Sequence, residues 1–204
     1  MRILHLVIRK LPTNVCESGF ILEIFINNIK CTKVKYDELK IIYIKWGETI
    51  MNRIEILRKY IDEILLNMTD VEERRCAYLH LYGVAQSCAL IALKRGENAE
   101  LATMSGMLHD IYSYAKMDTK DHAHKGATLA REILTSLQIT NDDETKLICD
   151  AIYTHSEKEV VHSRFNEVLI DADVFEHCLY NPMFEIMAHE KNRYEKLKLE
   201  FGIA

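Results

Sequence analysis

Eight of the chain's nine histidines fall after residue 79, and several keep company with aspartate. His109 and Asp110 stand side by side in the stretch MLHDIYSY. His80 lies on the line Cys76, His80, Val84, Ser87, Ile91, which has helical spacing along an apolar face. His155 continues the line Ile148, Ala151, Ile152, while His122, Asp171 and Asp173 sit at or within the ends of further apolar runs. Taken singly, each reads as readily as a satisfied core residue. Taken together, so many titratable groups cannot be buried without partners, and a metal ion satisfies them at once.

The elements that must carry these residues are helices. Only 2 Pro and 7 Gly occur, which favours long helices over a turn-rich β fold. Thr69-Asp-Val-Glu72 reads as a capping box opening a helix that Gly96 stops after Arg95. Asn98 caps the next, with Leu101, Met104 and Leu108 on one face. A loop near 115–121 leads to a helix over about 122–137. Asn141-Asp-Asp-Glu144 caps one ending near His155, another covers about 164–179, and Asn181-Pro182 starts the last. The expected fold is all-α, a bundle of about seven helices over 51–204, one domain able to bury a real core.

Residues 1–50 differ in kind. Ile21–Ile29 and Ile41–Ile44 look strand-like, but no turn chemistry organises them, so a non-helical or disordered extension is expected. Gly47-Glu48 can be encoded by a purine-rich, ribosome-binding sequence at a suitable distance before Met51. The natural start is therefore expected at Met51, the other reading being a genuine small β extension. The extension carries eight basic and five acidic residues, net +3, and the rest carries 18 and 26, net −8. An acidic body with no basic run argues against binding a nucleic-acid polymer. No apolar run is expected to reach the ~18 residues of a membrane span. Six cysteines form no CxxC pair, which points to free thiols in a reducing cytoplasm.

His80, then His109-Asp110, then an Asp in DADVFEH (171–177) together resemble the HD superfamily of metal-dependent phosphohydrolases. HAHKGATLAREIL (122–134) and AIYTHSEKE (151–159) match that family's two-metal members, so the resemblance spans about 70–180. It implies an all-helical HD domain whose metal ligands are His80, His109, Asp110, His122, His155 and Asp173. In HAHKGA the family's His stands four residues before the Gly, which selects His122; His124 falls instead on a polar face with Thr128, Arg131 and Thr135. The family pattern favours Asp173, while periodicity leaves Asp171 open.

Imidazole and carboxylate ligands suit one or two ions of Fe, Mn, Co, Ni or Zn, and suit Mg less. Such an ion lowers the pKa of bound water and neutralises charge on phosphoryl oxygens. The implied activity is hydrolysis of a phosphate ester or anhydride of a nucleotide or similar small molecule, with His109 and Asp110 central to catalysis. Asp110 is the natural bridging carboxylate. Lys125, Lys158 and His124 are candidate substrate contacts; the two lysines read more strongly as exposed residues near a helix start and in a loop, and His124 reads either as a contact or as an exposed residue. His5, His162, His177 and His189 are expected to have no metal role. Where many family members continue HD with Ile-Gly-Lys, this chain has Ile111-Tyr112-Ser113, which leaves the substrate open. A di-iron oxygenase on the same ligand set and a non-catalytic metal-stabilised sensor or interaction module are the other readings. Intact-mass analysis of the protein from its native source is expected to show a chain beginning at Met51; a 204-residue product would refute that start.

Overall fold

The computed structural model describes residues 52–203 in full and, before them, the backbone of three strands. The chain divides into two units, Met1–Asn52 and Arg53–Ala204. In the first, β1 (Leu6–Lys10), β2 (Ile21–Ile26) and β3 (Ile29–Lys35) form an antiparallel sheet in the order β1-β2-β3, with an irregularity at Ile24/Phe25. The extension is thus non-helical where described; the strand-like run at 41–44 and His5 lie outside the described residues.

Eight helices make up the second unit among the described residues: α1 (Arg53–Leu66), α2 (Val71–Arg95), α3 (Ala99–Leu108), α4 (Ile111–Lys116), α5 (His122–Leu137), α6 (Asp142–Thr154), α7 (Arg164–Tyr180) and α8 (Lys191–Phe201). Their ends follow from local chemistry. Asp70, not Thr69, caps α2: its carboxylate accepts from the amides of Glu72 and Glu73 at 2.9 and 3.0 Å. Gly96, at φ +72°, closes α2 in the left-handed conformation that glycine adopts without strain. Asn98 caps α3, and Asn141 with Glu144 forms a full capping box on α6. The expected start of the last helix at Asn181-Pro182 is wrong. Residues 181–190 form turns and α8 begins at Lys191, because Met183, Phe184 and Met187 supply no face that packs.

α2 is the central helix, packed along α3 and α7, while α5 pairs with α6. Its inward side chains are Ala77, Leu81, Val84, Cys88 and Ile91, one step round from the expected line, and Cys76 is exposed. By length and composition α2 could cross a membrane, contrary to the expectation that no run comes near that size. Its packing against α3 and α7 buries part of that apolar surface, while Leu79, Leu90 and Leu93 stay exposed. Arg53 ties α1 to two neighbours, bonding Glu100 of α3 at 3.0 Å and Glu144 of α6 at 2.8 Å.

The α2–α3 crossing is set by Gly106. A Cβ there would stand 2.7 Å from Ala85 Cα and 2.8 Å from Ala85 N, both backbone atoms that cannot step aside. Gly106→Ala is expected to force the helices apart and destabilise the protein by about 1–3 kcal/mol. Urea unfolding checks this, and an unchanged midpoint would refute the close approach.

Candidate metal centre

Consecutive residues on a regular helix diverge by about 100°, so His109 and Asp110 can share a target only if the helix breaks between them. It does. α3 ends at Leu108, His109 keeps helical angles, and Asp110 leaves them at φ −111°, ψ 11° before α4 starts. His109 Nε2 and Asp110 Oδ2 then lie 3.7 Å apart. His80 comes from the middle of α2, His122 from the first residue of α5, His155 from the C-cap of α6, and Asp173 from the middle of α7. Gly126, one turn after His122, lets α5 approach: a Cβ there would stand 3.0 Å from the His109 carbonyl oxygen.

Two donor groups result, joined by one carboxylate. His80 Nε2 lies 3.0 Å from His109 Nε2, 3.5 Å from Asp110 Oδ2 and 3.6 Å from Asp173 Oδ1. His122 Nε2 and His155 Nε2 are 3.2 Å apart and stand 3.5 and 3.4 Å from Asp110 Oδ1. Asp110 thus turns Oδ2 to the first pair of rings and Oδ1 to the second. Both groups, His80–His109–Asp110 and Asp110–His122–His155, are compact enough to hold a metal ion, as is a third, His80–Asp173–His177.

The outer ring nitrogens fix the tautomers. His109 Nδ1 donates to the Gly106 carbonyl at 2.8 Å, His155 Nδ1 to Ile152 at 2.6 Å, and His122 Nδ1 to Thr119 at 3.2 Å. A carbonyl only accepts, so each Nδ1 carries hydrogen and each neutral ring presents a lone pair at Nε2. Glu176 holds His80 Nδ1 in the same way at 2.8 Å. Ring nitrogens facing one another at 3.0 and 3.2 Å need a cation between them, either a proton or a metal ion. Among the described residues, Asp110 Oδ1 and Asp173 Oδ1 are moreover buried without a hydrogen-bond donor. Orphaned carboxylate oxygens beside four inward ring nitrogens fit a divalent ion.

The site's electrostatics agree. Burial opposes charge on His80, yet Asp110, Glu176 and Asp173 outweigh it and push its pKa up to about 10. Burial takes the fully enclosed His109 down to about 4, although Asp110 and Asp173 pull the other way. For Asp110 and Asp173 burial is likewise the largest influence and raises the pKa; the neighbouring imidazoles His109 and His155 reverse it for Asp110, and chiefly the Lys158 ammonium for Asp173, so that both carboxyls are held low. The cluster is a well of negative potential with imidazole walls.

The remaining expected residues go elsewhere or play other parts. Asp171 faces away from the centre and pairs with Arg95 at 2.7 Å and Arg193 at 2.8 Å. His124 stacks on Tyr153 with ring centroids 4.0 Å apart and pairs with Asp121, on a separate cleft. Lys125 bonds Asp118 at 2.9 Å, bracing the 117–121 loop that presents His122. That loop is flanked by Met117 and Asp121, both at positive φ (50° and 57°). Lys158 is not exposed: it bonds Asp173 Oδ2 at 2.9 Å and also Glu190. It lines a cavity of about 310 Å³ together with Asp110, His122, His155 and Asp173. His177, expected to have no metal role, belongs to one of the compact donor groups, and Glu176 and Glu190 were not singled out at all. His177 places Nε2 3.4 Å from Asp173 Oδ1 and donates Nδ1–H to Glu190 at 2.9 Å, and Glu176 orients His80. The signal was there, since Asp173, Glu176 and His177 follow the i, i+3, i+4 rule on one helix face.

The HD domain family model matches residues 77–178, half of the chain. The chain belongs to the HD domain family. No curated protein matches it. Among solved structures it is similar to one described as a predicted HD superfamily hydrolase, from an uncultured Thermotogales bacterium. That similarity is 22% identity over 72% of this chain and 87% of the other, with a TM-score of 0.48. In this HD domain the family-matched span runs from the buried face of α2 to the end of α7, and so contains every residue of the two donor groups.

Equilibrium dialysis against Mn or ferrous iron is expected to load two ions per chain and raise Tm. His122→Ala is expected to keep one ion and Asp110→Asn to weaken both. A wild-type protein that takes up no ion and gains no thermal stability would refute the site.

Proposed function

We propose that this HD domain is a metal-dependent phosphohydrolase that cleaves a phosphate ester or anhydride of a nucleotide or similar small molecule. One observation carries the reading: Asp110 turns its two oxygens toward two separate pairs of inward imidazole Nε2 atoms. His80, His109, Asp110 and Asp173 would hold one ion, and Asp110, His122 and His155 a second. The mixed donors suit Fe, Mn, Co, Ni or Zn more than Mg. Bound there, the ions supply a Lewis acid for the phosphoryl oxygens and a water of lowered pKa.

The chain's own residues do the rest. Glu176 and the carbonyls of Gly106, Thr119 and Ile152 hold the rings so that only Nε2 faces the centre. Lys158 neutralises Asp173 Oδ2 and leaves Oδ1 to the centre. Complete burial of His109 and near-complete burial of His155 keep bulk water behind the rings out of the site. The phosphoryl group enters from the opposite side, through the cavity that Asp110, His122 and Ser156 line. Lys158 faces that cavity with its ammonium already committed to two carboxylates, so charge on the substrate falls to the ions. Two cavities of about 310 and 330 Å³ fit small molecules rather than polymers. The buried free thiols Cys88, Cys149 and Cys178 suit a reducing cytoplasm.

Phosphate release from a panel of nucleotides and simple esters, with each of Mn, Fe, Co, Ni and Zn added, tests the reading. His109→Ala and Asp110→Ala are each expected to lower kcat by several kcal/mol of barrier, on the order of 10³-fold. A metal-loaded protein that releases no phosphate from any member of the panel would overturn it.

A further inference from the structure

Beside the metal centre lies a second cavity, of about 330 Å³, that none of the chemistry above uses. His80 and His177 form the wall it shares with the centre, and Tyr114, Phe184, Ile186 and Met187 line the rest with apolar surface. Apart from His80 and His177, its charged lining is acidic among the described residues. Glu176 is bonded to His80, Glu190 to His177 and Lys158, and Glu185 makes no ion pair. No Lys or Arg lines it among the described residues, although Lys158 bonds Glu190 from behind. The rim also exposes apolar surface that packing does not explain: Phe184 is 67% exposed, Met187 47% and Tyr180 50%.

We propose that this cavity binds the organic part of the substrate, and that the substrate is a phosphate monoester of an uncharged, ring-bearing alcohol rather than a polyphosphate. The assignment rests on the phosphohydrolase reading and narrows it. The two cavities adjoin along His177, Met187 and Glu190, so a substrate whose phosphoryl group lies at the centre can extend its alcohol portion past that edge into this one. There a ring meets Tyr114 and Phe184, which stack on aromatic faces, and covers the exposed rim. A second or third phosphate in the same place would meet no Lys or Arg on the lining among the described residues, since Lys158 is committed to Asp173 and Glu190, and would face the carboxylate of Glu185. The volume is at the small end of ligand sites, enough for one ring system and its sugar but not for two nucleosides.

Two measurements on the full chain test this. Calorimetry with adenosine, which needs no turnover, is expected to show saturable binding that Phe184→Ala weakens about fivefold, the loss of one stacking partner. Phe184 is mostly exposed, so the variant keeps its fold. With metal added, kcat/KM is expected to be highest for adenosine monophosphate and phenyl phosphate, and at least about tenfold lower for adenosine triphosphate and pyrophosphate. The ratio of phenyl phosphate to glycerol phosphate turnover is expected to fall in Phe184→Ala, and Glu185→Lys is expected to shift preference toward the triphosphate. Phenyl phosphate outrunning the nucleotide would make the favoured alcohol an aryl group instead of a nucleoside, within the same proposal. Absence of adenosine binding, or equal binding by Phe184→Ala, would overturn it, as would faster turnover of the triphosphate than of either monoester. Adenosine binding with no phosphate release from any ester would leave the pocket assigned and reject the phosphohydrolase reading instead.

Discussion

Two carboxylate oxygens, Oδ1 of Asp110 and Oδ1 of Asp173, are buried where no protein donor reaches them, among the described residues. The helical unit is organised around that constraint. Anions can be kept in such a place only if positive charge converges on them, and here Lys158 covers one oxygen of Asp173 while the imidazole rings surround the rest. Convergence in turn needs helix axes close enough for short side chains to meet. Gly106 against Ala85 and Gly126 against the His109 carbonyl provide that closeness, and the break at Asp110 lets two neighbouring side chains share one target. Even the hydrogen bonds to backbone carbonyls serve it, because they decide which nitrogen of each ring is left facing inward.

Much of this was legible in the residue order. Caps at Asn98 and Asn141 and the stop at Gly96 act locally, so the helices they bound could be read directly. The preference for His122 over His124 followed from the family's spacing of His to Gly and from the polar face that carries His124, and the structure puts His124 on a different cleft. Asp171 against Asp173 could not be decided by periodicity, since both flank Ala172. The decision lies in Arg95 and Arg193, which approach α7 from distant parts of the chain and claim Asp171. Lys158 looked like an exposed loop lysine for the same reason: its partners, Asp173 and Glu190, are remote in sequence. Asn181-Pro182 carried a sound start signal, yet a helix also needs an apolar face, and Met183, Phe184 and Met187 meet no core. His177 shows the opposite error. Its i, i+4 relation to Asp173 was visible, but a lone histidine gains weight only when its neighbours are already known to converge.

The segment 181–190 joins two demands that seldom sit together. At one end Glu190 is buried and held by Lys158 and His177, so the segment is pinned to the metal centre. Along its length Met183, Phe184, Glu185 and Met187 face outward, and the backbone turns are held by Asn181 and by amide–carbonyl bonds that any side chains could share. Lineages can therefore alter the rim without disturbing the ligands or the core. The same ion-binding bundle becomes a fixed engine under an interchangeable collar, and divergence of substrate among close relatives should be written in those few exposed positions while the histidines and aspartates stay as they are.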